Sequence, residues 1–101
     1  TMINSAINSG AFIAYHRDHG QYSGWYKPSY QSSNVASLTN ADRKLPFVFS
    51  VNCNTGEYQT GSACFSESIH RHTYNSKNSG ALGVIAPSEV SYSFVNDIFL
   101  W

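Results

Sequence analysis

Charge is scarce in this chain, and neither sign is in surplus. Six Lys+Arg stand against six Asp+Glu in 101 residues, and charged residues make up 12%, about half the usual share of roughly 25%. Such a chain lacks the cationic face that displaces counterions from phosphates, so nucleic acid is not an expected partner. The same balance excludes a polybasic membrane anchor. Long apolar runs are missing too: none approaches the ~18 residues of a membrane span. The start, Thr1-Met2-Ile3-Asn4, lacks the basic region and apolar core of a signal peptide. Cysteine is limited to Cys53 and Cys64, too few for a disulfide scaffold. They form one bridge or are free thiols with separate jobs. There is no Gly-rich phosphate loop and no Gly-x-Ser-x-Gly turn.

What is present is apolar and small polar. The length allows one domain. Hydrophobic residues reach 42% and aromatics 15%, a globular composition rather than a disordered one. Sixteen Ser and nine Asn supply most of the polar surface, and neutral surfaces of this kind are common in secreted proteins. Apolar spacing predicts a helix over 2–9 without a clear cap, with Gly10 at its C-terminal end. The continuous apolar run 11–16 predicts a strand buried on both faces. A long polar stretch, 17–33, carries the breakers Gly20, Gly24 and Pro28. A short helix within 34–44 would turn Val35 and Leu38 inward. Pro46 opens a strand over 47–51 that ends at Asn52-Cys53, followed by the turn Asn54-Thr55-Gly56. Ala63, Phe65 and Ile69 recur at helical spacing, so 62–74 reads as a helix. A loop over 75–80 leads to a third strand, 81–86, closed by Pro87. Strands alternating with helices predict an α/β fold with right-handed crossovers and a mostly parallel sheet. The helix opening at Met2 and the apolar run Asp97-Ile98-Phe99-Leu100-Trp101 at the other end lead to the expectation of a piece of a larger domain.

In such sheets ligands bind beyond the carboxyl ends of the strands. His19-Gly20 follows the first strand and Cys53 ends the second, so both are expected at one crevice. A cysteine attacks as thiolate, and a nearby imidazole takes its proton and later protonates the leaving amine. The Gly20 and Cys53 backbone N–H groups are candidate donors to the oxyanion of a tetrahedral intermediate. Together these are the parts needed for acyl transfer. His16 is the second candidate base, and Asp18 is not expected to orient the imidazole. Cys64 reads as a packed cysteine and Glu67 as an anchor for a helix start. His70-Arg71-His72 reads as a solvated helix end whose charge suits the macrodipole. His16, His19 and Cys53 lack the fourth ligand of a structural zinc site, so no metal is expected. The cluster Tyr22, Trp25, Tyr26 and Tyr30 is expected to pack the loop and line the cleft.

These residues carry a resemblance. The order His19-Gly20, Trp25, Leu38-Thr39-Asn40, Pro46-Phe47-Val48-Phe49-Ser50-Val51-Asn52-Cys53 is similar to that of the gingipain-type cysteine peptidases, family C25, in the caspase-like clan. It continues as Asn54-Thr55-Gly56-Glu57-Tyr58, Cys64-Phe65-Ser66-Glu67 and Gly80-Ala81-Leu82-Gly83-Val84-Ile85-Ala86. The similarity covers residues from about 11 to about 93, and the family's catalytic domain is several times longer.

The resemblance implies a caspase-like three-layer αβα sandwich with a mostly parallel sheet. Residues 1–101 would be a single fragment of such a catalytic domain, with the rest of that domain outside this chain. The implied activity is a cysteine endopeptidase working through a covalent acyl-enzyme, with Cys53 as nucleophile and His19 as general base and acid. Gly20 and Cys53 N–H would hold the oxyanion. The implied partners are protein or peptide substrates, no cofactor is implied, and the implied location is secreted or at the cell surface. The family places an aromatic lid, commonly Trp, after the third strand; here Tyr92 or Phe94 stands in that stretch, and Tyr92 is taken as the candidate substrate-binding residue. The acidic residue that selects a basic side chain in gingipains would lie upstream of residue 1, and Glu89 does not replace it. Two rivals stand beside this reading. One is a C25-like domain that no longer cleaves and acts in secretion, surface processing or protein binding. The other is an α/β binding module in which Cys53 is buried packing.

Overall fold

Three short apolar segments at positions 13–17, 47–51 and 83–85 set the architecture. The computed structural model describes residues 1–100. Trp101, the end of the apolar run noted above, lies outside the described residues. Helix α1 (Met2–Asn8) begins at a cap that the sequence reading missed: Thr1 Oγ1 accepts from Asn4 N at 2.9 Å, which satisfies one of the unpaired amides of the first turn. Strand β1 (Ile13–Arg17) follows. The polar stretch after it is not a plain loop but a small antiparallel sheet. Its strands are β2 (Gly20–Gln21), β3 (Gly24–Trp25) and β4 (Tyr30–Gln31), leading into a single helical turn, α2 (Ser32–Val35). Then come β5 (Phe47–Val51), a 3-10 turn at Tyr58–Thr60, α3 (Phe65–Arg71), the hairpin strands β6 (Thr73–Tyr74) and β7 (Lys77–Asn78), β8 (Gly83–Ile85) and α4 (Ser93–Leu100).

β1, β5 and β8 form a parallel sheet in the order β1-β5-β8. The register pairs Ile13 with Phe47 and Arg17 with Val51, and Phe47 with Gly83. Side chains alternate faces along a strand, so Ala14, His16, Val48, Ser50 and Val84 share one face. Against it packs one core built from Ile7 of α1, Trp25 and Tyr30 of the small sheet, Val35 and Leu38, and Phe65 and Ile69 of α3. The expectation of strands buried on both faces fails: this face is covered by the core. On the other, Ile13 and Tyr15 are each 51% exposed. There α4 is the described element of the second helical layer: Val95 and Asn96 share a hollow of about 220 Å³ with Val51 and Ile85. No helix among the described residues is long and apolar enough to cross a membrane.

Two predicted helices are shorter than expected, for local reasons. In the 34–44 segment the chain wraps around buried Asn40. Its Nδ2 donates to Lys44 O (2.7 Å) and Gly80 O (2.8 Å), while its Oδ1 accepts from Ser79 Oγ (2.9 Å) and Gly80 N (3.0 Å). A side chain that satisfies so many backbone groups competes with the helix. The 62–74 helix starts only at Phe65 because Cys64 is extended, and it stops at Arg71 because His72 is extended. Asn75 and Ser76 then both take positive φ, 51° and 62°, as a two-residue hairpin turn requires. Gly80 is at φ 78°, and a methyl there would lie 2.0 Å from Ile69 O, so only glycine lets the chain pass the end of α3.

Asn40 fastens the 36–46 loop to the segment that leads into β8. Asn40→Ala strands several buried partners, each costing about 1–3 kcal/mol. A loss of about 3 kcal/mol in unfolding free energy by urea titration is the expected outcome; a loss below about 0.5 kcal/mol would show that the clamp is dispensable.

Candidate active site

Parallel pairing of β1 with β5 brings their carboxyl ends to one edge, so residues 18–20 and 52–53 become neighbours. The Asn54-Thr55-Gly56 turn follows at once, with Asn54 at φ 59°, a conformation asparagine tolerates. The segment after β8 runs beside this turn. Asn54 N donates to Glu89 O (3.1 Å) and Gly56 N to Pro87 O (2.8 Å). A cleft of about 250 Å³ results, lined among others by Asp18, His19, Asn52, Cys53 and Ser91. His19 also borders an adjoining hollow of about 460 Å³ with Gly20 and Tyr26.

Cys53 is half-buried and a free thiol; its Sγ–H donates to Ser91 O at 3.5 Å. His19 is solvent-exposed, and its backbone N–H donates to Asp18 Oδ1 at 2.7 Å. Asp18 thus engages the main chain of His19. Gly20 faces Trp25 in the small sheet, and Tyr26 N donates to His19 O at 3.0 Å. That pattern makes Gly20 and Trp25 a non-hydrogen-bonded pair, so the Gly20 N–H is left out of the ladder. The Cys53 N–H has no acceptor among the described residues. Two backbone donors are therefore available at this strand edge.

His16, the second candidate base, is otherwise engaged. It is 5% exposed and stacked on Trp25 with ring centroids 4.4 Å apart. Asn52 Nδ2 donates to His16 Nδ1 (2.8 Å), and an amide nitrogen only donates. The ring proton therefore sits on Nε2, which donates to Lys27 O (3.0 Å). Asn52 Nδ2 also donates to Ser50 Oγ (2.9 Å), which accepts from Trp25 Nε1 (2.8 Å) as well. Thr55 Oγ1 donates to Asn52 Oδ1 (2.7 Å) and lies 3.0 Å from Ser50 Oγ. The reading of residue types alone missed this network. Its signal was present: His16 and Ser50 are polar residues at inward positions of apolar strands.

The aromatic cluster divides. Trp25 and Tyr30 are core residues, and Tyr30 Oη–H donates to Asn4 Oδ1 at 2.6 Å. Tyr26 alone of the four borders the cleft region described. From the segment after β8, Ser91, Ser93 and Asn96 line the Cys53 cleft. Tyr92 is 61% exposed and stacks on Phe94. Cys64 is buried with its Sγ 3.5 Å from Glu67 Oε1, and burial pushes its thiol above the usual range. His72 Nε2–H donates to Leu38 O (2.9 Å), while His70 is exposed at the end of α3. No group of three or more His, Cys, Asp or Glu among the described residues is arranged to hold a metal ion.

The protein is of the α/β class, with a parallel sheet that carries cysteine and His-Gly at adjoining strand ends, and comparison with known proteins identifies the family. The sequence model described as Peptidase family C25 matches residues 1–100, and the chain belongs to this family. It is 32% identical over 84 residues to gingipain R2 of Porphyromonas gingivalis strain W83, covering 83% of this chain and 11% of that protein. It is 31% identical over 88 residues to Lys-gingipain of P. gingivalis strain ATCC 33277, covering 87% of this chain and 5% of that protein. The crystal structure of the Arg-specific cysteine proteinase gingipain R superimposes with a TM-score of 0.85 at 30% identity, over 90% of this chain and 21% of that one. The complex of the RgpB pro- and mature domains gives 0.84, over 89% and 21%. The chain thus spans about a tenth or less of the curated relatives' length.

Burial pushes the His16 imidazole below its usual range, against smaller opposing effects of the Lys27 carbonyl bond and nearby Asp18. The unfolded chain therefore binds more protons than the native one below about pH 6.5, and stability falls with falling pH until the folded imidazole also titrates. A single such group contributes a slope of at most about 1.4 kcal/mol per pH unit. Urea unfolding at pH 7.5 and 5.5 should show this loss in the wild type and a smaller one in His16→Gln; equal losses would remove His16 as the cause.

Proposed function

We propose that the chain carries the nucleophile, the base and the oxyanion donors of a cysteine endopeptidase. The observation that carries this reading is the shared cleft: Cys53 and His19 line one cavity, with the free N–H groups of Gly20 and Cys53 at the same edge. In the mechanism, the imidazole of His19 takes the proton of the Cys53 thiol, and the thiolate attacks the scissile carbonyl carbon. The Gly20 and Cys53 N–H groups donate to the oxyanion of the tetrahedral intermediate. His19 returns the proton to the leaving amine as the C–N bond breaks, giving a thioester. A water, deprotonated by His19, then hydrolyses the thioester and frees Cys53.

The substrates on this reading are proteins or peptides, and the preferred residue at the cleaved bond is set by parts of the domain outside this chain. The gingipain relatives support a secreted or cell-surface location. Tyr92, exposed beside the cleft segment, is the candidate for substrate contact. The role of Cys53 as mere packing is disfavoured by its half-exposed position on a cleft.

A second reading, a C25-like domain that binds or assists secretion without cleaving, is favoured by one observation: the Cys53 thiol donates to Ser91 O. Alkylation of the two cysteines by iodoacetamide, followed by mass spectrometry at several pH values, separates the readings. A working pair gives Cys53 a rate at least about tenfold that of buried Cys64 at pH 6.5, with most of the advantage lost in His19→Ala. Equal rates, or no effect of His19→Ala in folded protein, would remove the peptidase reading.

A further inference from the structure

Gly20 and Asn52 approach more closely than any side chain at position 20 would permit. A methyl on Gly20 would lie 2.7 Å from Asn52 Cγ and 2.8 Å from its Cβ. Gly20 carries no unusual φ that would call for glycine, so the reason for glycine here is space. The Asn52 side chain is not free to yield. It is 2% exposed, and its carboxamide is bonded to His16 on β1, Ser50 on β5 and Thr55 in the following turn. His16 is in turn fixed by Lys27 O and by stacking on Trp25, and Trp25 is itself bonded to Ser50.

We infer that Asn52 is a positioning residue: its locked side chain is the spacer that sets the distance between the backbone of Gly20 and the backbone of Cys53. The inference rests on the peptidase reading, because that distance matters only if the two N–H groups must hold one oxygen. Such donors have to lie about 2.7–3.1 Å from the developing oxyanion, and a displacement of about 1 Å can cost a hundredfold in rate. Asn52 is suited to this task in two ways. It is the residue before Cys53, so its own backbone is continuous with one donor. Its side chain reaches across the sheet edge and abuts the residue that carries the other. A fully bonded buried amide is also stiff, since any rotation leaves partners unpaired.

The test uses the intact protein and fluorescein-labelled casein, which offers every residue type at the cleaved bond. Iodoacetamide alkylation of Cys53 is measured alongside, because displacement at carbon needs no oxyanion hole. In Asn52→Ala, kcat should fall by about 30-fold or more with KM within about threefold, while Cys53 alkylation stays within about threefold of wild type. Gly20→Ala should give the same pattern, because the new methyl meets a side chain that cannot yield and so displaces the backbone of residue 20. The double variant should fall no further than Asn52→Ala alone, because both changes act on one contact.

An unchanged kcat in folded Asn52→Ala, or fully additive losses in the double variant, would overturn the inference and leave the peptidase reading standing. A wild type that leaves casein intact would overturn both. If Asn52→Ala does not fold, Gly20→Ala decides alone: lost kcat with intact alkylation supports the spacer, and retained kcat overturns it.

Discussion

The hydrogen bond from Asn52 to His16 crosses from the end of β5 to β1 inside the protein, and much of the site's geometry depends on it. A buried amide and a buried imidazole are costly to desolvate, and they remain inside only because every polar atom finds a partner. Here the partners form a connected set: Lys27 carbonyl, His16, Asn52, Ser50, Thr55 and Trp25. The set joins β1, the small antiparallel sheet, β5 and the turn after Cys53. Those are the segments that bring His19, Gly20 and Cys53 to one edge. An apolar core would hold the same segments together without fixing their orientation, whereas hydrogen bonds fix both distance and angle.

The two faces of the parallel sheet have different characters. One carries the main core cluster, from Ile7 to Ala81, with the polar network at its carboxyl end. The other shows Ile13, Tyr15 and Ile85 to solvent, and Val95 and Asn96 of α4 lie near Val51 and Ile85. Arg17 at the end of β1 pairs with Asp97 on α4, so the second-layer helix is tied to the strand end that leads into His19. The cleft therefore has one wall from each side of the sheet: the small antiparallel sheet with Gly20, and the 87–96 segment with Ser91. The chain belongs to family C25, and 90% of it superimposes on about a fifth of gingipain R.

Much of this was legible in the residues. Continuous apolar runs over 11–16, 47–51 and 81–86 located all three parallel strands, although Ile13, Tyr15 and Ile85 on the second face are exposed. The alternation of elements gave the parallel order, and the strand-end rule brought His19 and Cys53 to one crevice. The quoted order of motifs pointed to the family. The failures are equally specific. Helices over 34–44 and 62–74 were overdrawn because Asn40 and the Asn75-Ser76 turn reorganise the backbone locally. The aromatic stretch around Trp25 read as a loop because strands of two residues leave no periodicity to detect.

The sequence by itself determined the class of fold and the residue types available for chemistry, because both follow from local pattern and from side-chain chemistry. Tertiary structure decided which histidine is free. His16 and His19 are three residues apart and chemically identical, yet one points inward on β1 and is bonded at both ring nitrogens, while the other stands past the strand end in solvent. It also decided why residue 20 is glycine. That reason lies in Asn52, 32 positions along the chain, and only the packing of one strand end against another brings the two into contact.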